Sequence, residues 1–149
     1  MSHSTVVSIL NDLTEVDKDG EKNFIALAQK VSNPELRAIL THRAKEYLAA
    51  ATELQQLVRM LGGEPSMGGS VPGTLQRGWE ELKAAVASQD DHDVLEDCER
   101  GEDYAKKRYS EALQQTLPPN VRFPVQKQYE GVLRSHDRVR SLRDHTVAV

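Results

Sequence analysis

Apolar residues recur at helical spacing along four long stretches of the chain. The first carries Val6, Leu10, Leu13, Gly20, Phe24, Leu27 and Val31 on one face, which predicts a helix over residues 5–31 with Ser4 or Thr5 as its cap. Ser32-Asn33-Pro34-Glu35 then stops one helix and starts another, since Asn33 can cap, Pro34 suits the first helical position and Glu35 favours the positive end of the dipole. The second helix, over 34–61, has the seam Leu40, Ala44, Tyr47, Ala51, Leu54, Val58 and Leu61, and Gly62-Gly63 ends it with a left-handed cap. A third, over 91–116, places Leu95, Cys98, Glu102, Ala105, Tyr109 and Ala112 on its stripe. The fourth, over 121–144, does the same with Val125, Tyr129, Val132, His136, Val139 and Leu142, and tolerates Pro124 only in its first turn.

Between the second and third helices, Glu64 to Gly73 is rich in Gly, Pro and Ser and reads as a surface loop. No Lys-Ser or Lys-Thr follows its glycines at phosphate-loop spacing. A shorter helix is expected over 74–87, with Leu75, Trp79, Leu82 and Val86 inward and Trp79 as its packing anchor. Short turns after helices one and three make each flanking pair antiparallel. The long second connection can return along the molecule and leave helices two and three parallel. The expectation is therefore one all-α domain over 1–149, a ferritin-like four-helix bundle with a long crossover carrying a short extra helix.

Three residues break the apolar stripes. Asp17 lies one heptad after Leu10 and one before Phe24, Glu102 lies within Cys98-Glu99-Arg100-Gly101-Glu102-Asp103, and His136 is flanked by Val132 and Val139. With a rise of about 1.5 Å per residue, the crossover arrangement brings all three near one level, with Tyr47, Tyr109 and Tyr129 within about two turns of it. Buried carboxylates are costly unless paired or hydrogen-bonded. A central polar layer of Asp17, Glu102, His136, Tyr47, Tyr109 and Tyr129 satisfies its own members, with His136 donating to Glu102 or Asp17.

That layer has two readings. One is a hydrogen-bonded network that fixes helix register. The other is a site for a single iron, manganese or zinc ion held by Asp17, Glu102 and His136, because carboxylates and imidazole in a bundle core are how such ions are bound. A complete di-iron centre also needs Glu-x-x-His on two helices. The residue three before His136 is Leu133, before His42 Ile39, before His92 Gln89 and before His145 Leu142, so that centre is not expected. His42 and Glu46 share a face away from the seam, and Asp90-Asp91-His92-Asp93 coincides with a helix start, where acids and caps belong. No nucleophile stands beside a base at a recognisable spacing, so no catalytic residue is expected, and Cys98 on the apolar stripe reads as inert.

Charge and composition narrow the function further. The net charge is −4 and the isoelectric point about 5.7, which gives no field for drawing in nucleic acid or an acidic membrane surface. Arg134, Arg138, Arg140 and Arg143 cluster near the C-terminus, where cations complement a helix dipole. No stretch approaches the roughly 18 apolar residues needed to span a bilayer, and no basic region precedes an apolar run at the start. One cysteine excludes disulfides within the chain and fits a reducing compartment. A cytoplasmic protein is expected, dimeric through apolar residues outside the seam of helix two: Leu36, Ile39, Leu48 and Leu57.

The segments Leu10–Phe24, Leu57–Val86, Cys98–Tyr109 and Gln128–Asp144 resemble an uncharacterised bacterial family of four-helix-bundle proteins grouped with the ferritin-like superfamily. The resemblance implies a ferritin-like fold, a bacterial cytoplasmic protein and no established enzymatic activity. The wider superfamily implies iron or manganese chemistry, but its ligand motif is not met here. The expected function is a non-enzymatic bundle of a stress-associated or interaction kind without a cofactor. The alternative is a degenerate metalloprotein with one ion in its core.

Overall fold

The computed structural model describes residues 2–68 and 90–146. Four long helices make up most of them: α1 (His3–Ala28), α2 (Pro34–Met60), α3 (Asp91–Leu113) and α4 (Pro119–Asp144). Among the described residues there is no strand, and no helix is long and apolar enough to cross a membrane. The expected connecting helix over 74–87, with Trp79, lies outside the described residues.

Local chemistry sets the helix ends. Ser2, rather than Ser4 or Thr5, caps α1: its hydroxyl accepts from the Thr5 amide at 3.3 Å, and the helix begins two residues earlier than its apolar stripe suggests. Asn33 Oδ1 accepts from the Glu35 amide at 2.8 Å, with Pro34 first in α2 as expected. Asp90 caps α3 in the same way through the Asp93 amide at 2.8 Å. Gly62 takes φ +80° and ends α2; a side chain there would be strained in this left-handed region. At the start of α4 the expectation needs correction. Pro118 flanks the helix and Pro119 opens it, so Pro124 stands in the second turn. It withholds a hydrogen bond only from the exposed Asn120, whose carbonyl water can reach.

Each tight turn is closed by an arginine from the helix that follows it. Arg37 donates to the Ala28 and Val31 carbonyls at 3.3 and 2.9 Å, and Arg122 donates to the Leu113 carbonyl at 2.9 Å. Those carbonyls are among the acceptors a helix C-terminus leaves without partners. Asp91, at the start of α3, accepts from the Ser32 and Asn33 amides at 2.7 and 3.1 Å, so α2 and α3 begin at the same end of the molecule and run parallel. The long connection is thus a crossover. Its first part is pinned to α1 and α2: Asn11 donates to the Glu64 carbonyl at 3.0 Å, the Ser66 amide donates to Asn11 at 2.8 Å, and Gln55 donates to the Ser66 carbonyl at 2.9 Å.

The helices pack in the order α2, α1, α3, α4, and α4 barely touches α2. The core is aliphatic at both ends, around Val6, Leu10 and Val58 and around Leu40 and Leu95, with the polar layer between. Leu36 and Leu57 are buried in that core and Ile39 is half-buried, leaving only Leu48 exposed of the four residues expected to form a dimer face. That face is not assembled on α2, because the apolar stripe of a helix packed mainly on one neighbour is wider than its central seam.

Candidate functional site

The layer is built around a residue absent from the sequence reading. Arg43 lies one turn before Tyr47 on α2, and all but 7% of it is buried. Its guanidinium faces Glu102 of α3 with Nε at 3.1 Å from Oε2 and Nη2 at 3.3 Å from Oε1. It also lies over the Tyr47 ring, 3.9 Å from the centroid, in a cation–π contact. The Tyr47 hydroxyl donates to Glu102. Burial opposes the charge on Arg43, but Tyr47, Glu102 and Glu46 outweigh it and hold the group above its ordinary value. The Tyr47 hydroxyl is pushed well up, first by burial and then by Glu102. Gly20 makes the arrangement possible, since a Cβ there would stand 2.8 Å from the Tyr47 ring.

Asp17 sits beside this group with a different partner. Its carboxyl oxygens lie 2.7 and 2.9 Å from the Tyr109 hydroxyl, which is also 2.9 Å from Gln128 Oε1. Gln128 is oriented by its amide nitrogen, which donates to the Ala50 carbonyl at 3.3 Å and to Glu53 at 2.6 Å. Oxygen therefore faces Tyr109. A tyrosine hydroxyl has one proton and cannot donate to both neighbours. Both contacts are satisfied when Asp17 is protonated and donates to Tyr109, which donates to Gln128. Burial pushes the Asp17 carboxyl up to about 8, outweighing the Tyr109 hydrogen bond and nearby Arg43, while Glu102 adds to the rise. A hydrogen-bonded chain thus runs from the buried Asp17 through Tyr109 and Gln128 to the exposed Glu53.

His136 is not in that layer. Its Nε2 lies 2.6 Å from Asp103 and 3.8 Å from Glu99, and the approach to Asp103 is too oblique for a formed hydrogen bond. Glu99 in turn takes Arg140 at 3.1 Å and Arg143 in close contact. The expected pairing of His136 with Glu102 or Asp17 is therefore corrected: Glu102 is taken by Arg43, and His136 faces the neighbouring side of α3. Tyr129 is half-buried and packs against the core. Ligand atoms of Asp17, Glu102 and His136 do not lie within 4.8 Å of one another; among the described residues only Asp90, His92 and Asp93 do, at the partly exposed start of α3.

The thin contact between α2 and α4 leaves a slot of about 320 Å³ that opens onto Asp17 and Tyr109. Glu46 and Glu53 line its α2 side; Lys127, Gly131 and Arg134 line its α4 side. Small residues, Ala49, Ala50 and Gly131, keep it open.

Sequence reasoning found Asp17, Glu102, Tyr47 and Tyr109, and missed Arg43, Gln128 and the buried Glu15 and Asp97. Arg43 had one available signal: with Leu40, Ala44 and Tyr47 it completes a three-and-four spacing on the inward face. Cys98 is fully buried and its thiol is pushed well up by burial, then by Glu102 and Asp97, as an inert cysteine would be.

These features define a class: an all-α four-helix bundle with one crossover, an internal ion pair, and a polar slot along one side. The chain belongs to the DUF2383 family, a domain of unknown function, which matches residues 5–115. That span holds Asp17, Arg43, Tyr47, Glu102 and Tyr109, while Gln128 and the α4 wall of the slot lie beyond it. The fold is similar to that of a conserved hypothetical protein, rv2844, from Mycobacterium tuberculosis, with a TM-score of 0.77 at 9% identity, covering 99% of this chain and 97% of that one. No curated protein matches the chain.

Proposed function

We propose that the protein is a non-enzymatic, cytoplasmic bacterial bundle of the ferritin-like superfamily, in which a cation supplied by the chain takes the place of a core metal. The carrying observation is Arg43, whose guanidinium neutralises the central carboxylate Glu102 and fills the space between α2 and α3. A metal ion there would meet a fixed positive charge 3.1 Å from its best ligand. The remaining members of the supposed ligand set are committed elsewhere, Asp17 to Tyr109 and His136 to the Asp103 side of α3. The buried network serves to hold four helices in one register, a role that buried polar groups fill in some bundles.

Elemental analysis of protein purified without chelator tests this. Iron, manganese and zinc are expected at well below one per chain, unchanged by adding each metal before gel filtration. Stoichiometric metal that is lost in both His136→Ala and Glu102→Gln would overturn the reading in favour of a single-ion metalloprotein.

A further inference from the structure

The slot between α2 and α4 has walls of opposite charge that do not pair with each other. Glu46 and Glu53 stand seven residues apart on α2, and Lys127 and Arg134 stand seven apart on α4, each pair spanning about 10 Å along its helix. α2 is parallel to α3 and α4 returns along α3, so α2 and α4 run antiparallel; the bond from Gln128 to Glu53 sets their register, with Arg134 toward Glu46 and Lys127 toward Glu53. Yet Glu46 is paired loosely with its own helix, 3.7 Å from Arg43 and 3.9 Å from His42, and Glu53 takes Gln128. Among the described residues neither Lys127 nor Arg134 has a carboxylate within 4 Å. Two matched pairs of charges thus face each other across an open gap.

Gly131 points the same way. It sits in mid-helix between Lys127 and Arg134, where glycine costs about 1 kcal/mol relative to alanine. Packing gives no reason for it, since a Cβ there would meet only the Arg134 side chain, at 3.6 Å. It contrasts with Gly20, whose Cβ would strike Tyr47. A bare backbone facing a pocket permits close approach of a ligand. The floor also carries Arg43, whose charge is met by Glu102, so the charged walls on either side set the field.

We propose that this slot binds a small zwitterion of the α-amino acid class, with its carboxylate on the Arg134 and Lys127 side and its ammonium on the Glu46 and Glu53 side. The volume of about 320 Å³ lies at the lower end of ligand pockets, suited to a single amino acid. An anion or a cation alone would satisfy one wall and face like charge on the other. This inference is independent of whether the core holds metal.

Thermal-shift and calorimetric titrations of the full chain decide it, using each of the twenty common amino acids at millimolar concentration together with its N-acetyl and carboxamide forms. At least one free amino acid is expected to raise Tm by several degrees, and both of its blocked forms to bind at least tenfold more weakly. Gly131→Leu fills the slot and is expected to abolish the shift, while Gly131→Ala folds with equal or greater stability. Arg134→Gln, an exposed change that leaves folding intact, is expected to weaken binding at least tenfold. No shift from any of the twenty overturns the proposal, as does equal binding of an N-acetyl form or a shift that survives both Gly131→Leu and Arg134→Gln.

Discussion

Two clusters of charge in this molecule use nearly the same residue types on the same helix, α3, and differ in depth. Glu102 meets Arg43 in the interior, with side-chain exposures of 0% and 9%. Glu99, less than one turn away and itself only 11% exposed, meets Arg140 and Arg143, whose side chains are 53% and 28% exposed. There water competes for the arginines and screens them, so the pairs contribute less. Inside, desolvation opposes each charge and only the partner offsets it. The inner pair is consequently strong as a constraint on which residues must occur together, and the outer one is replaceable. His136 joins the outer cluster although its own ring is buried, because its charged neighbour Asp103 is exposed.

The largest expected effect comes from breaking the inner pair on one side. Glu102→Gln leaves a buried guanidinium without its counter-charge and should cost about 3 to 5 kcal/mol in urea unfolding. Replacing both partners, as in Arg43→Met with Glu102→Leu, should recover most of that loss. A double variant no more stable than the single one would mean that Arg43 and Glu102 do not act as a pair.

A second contrast is one of pH. The Asp17 carboxyl holds its proton in the folded protein up to about 8 and releases it when unfolded near the ordinary 3.8. Between those values the folded state binds more protons than the unfolded one, so stability falls as pH rises, by at most about 1.4 kcal/mol per pH unit. The contribution is complete below about pH 4 and lost through about pH 8. Denaturation at pH 5, 6, 7 and 8 should show a decline that Asp17→Asn flattens; an identical slope in the variant removes Asp17 as its source.

The smallest effect belongs to the outer cluster. Asp103→Asn should change stability by less than about 1 kcal/mol, and by still less in high salt. A loss comparable to that of Glu102→Gln would erase the distinction between the two clusters.

Much of the inner cluster could be read before the fold was known. Asp17 and Glu102 announced themselves because a carboxylate in an apolar stripe contradicts its periodicity, and both are buried. Arg43 gave no such contradiction, since a long side chain beside a seam can turn outward and carry its charge to water. His136 carried the same signal as Glu102, yet the counting of levels could not separate its two sides of α3.

The four long helices, the positions of the tight turns and most inward residues of each stripe followed from the sequence alone, because periodicity and capping are local and repeat at every turn. The crossover also followed, from the lengths of the connections. Pairing was decided only in the tertiary structure. Which carboxylate meets Arg43, whether Tyr109 serves Asp17 or Glu102, and whether α2 and α4 close or stand apart depend on helix rotation and on small residues such as Gly20 and Gly131. A rotation of one residue, about 100° on a helix, exchanges Glu102 for Asp103, and with them a buried ion pair for an exposed one.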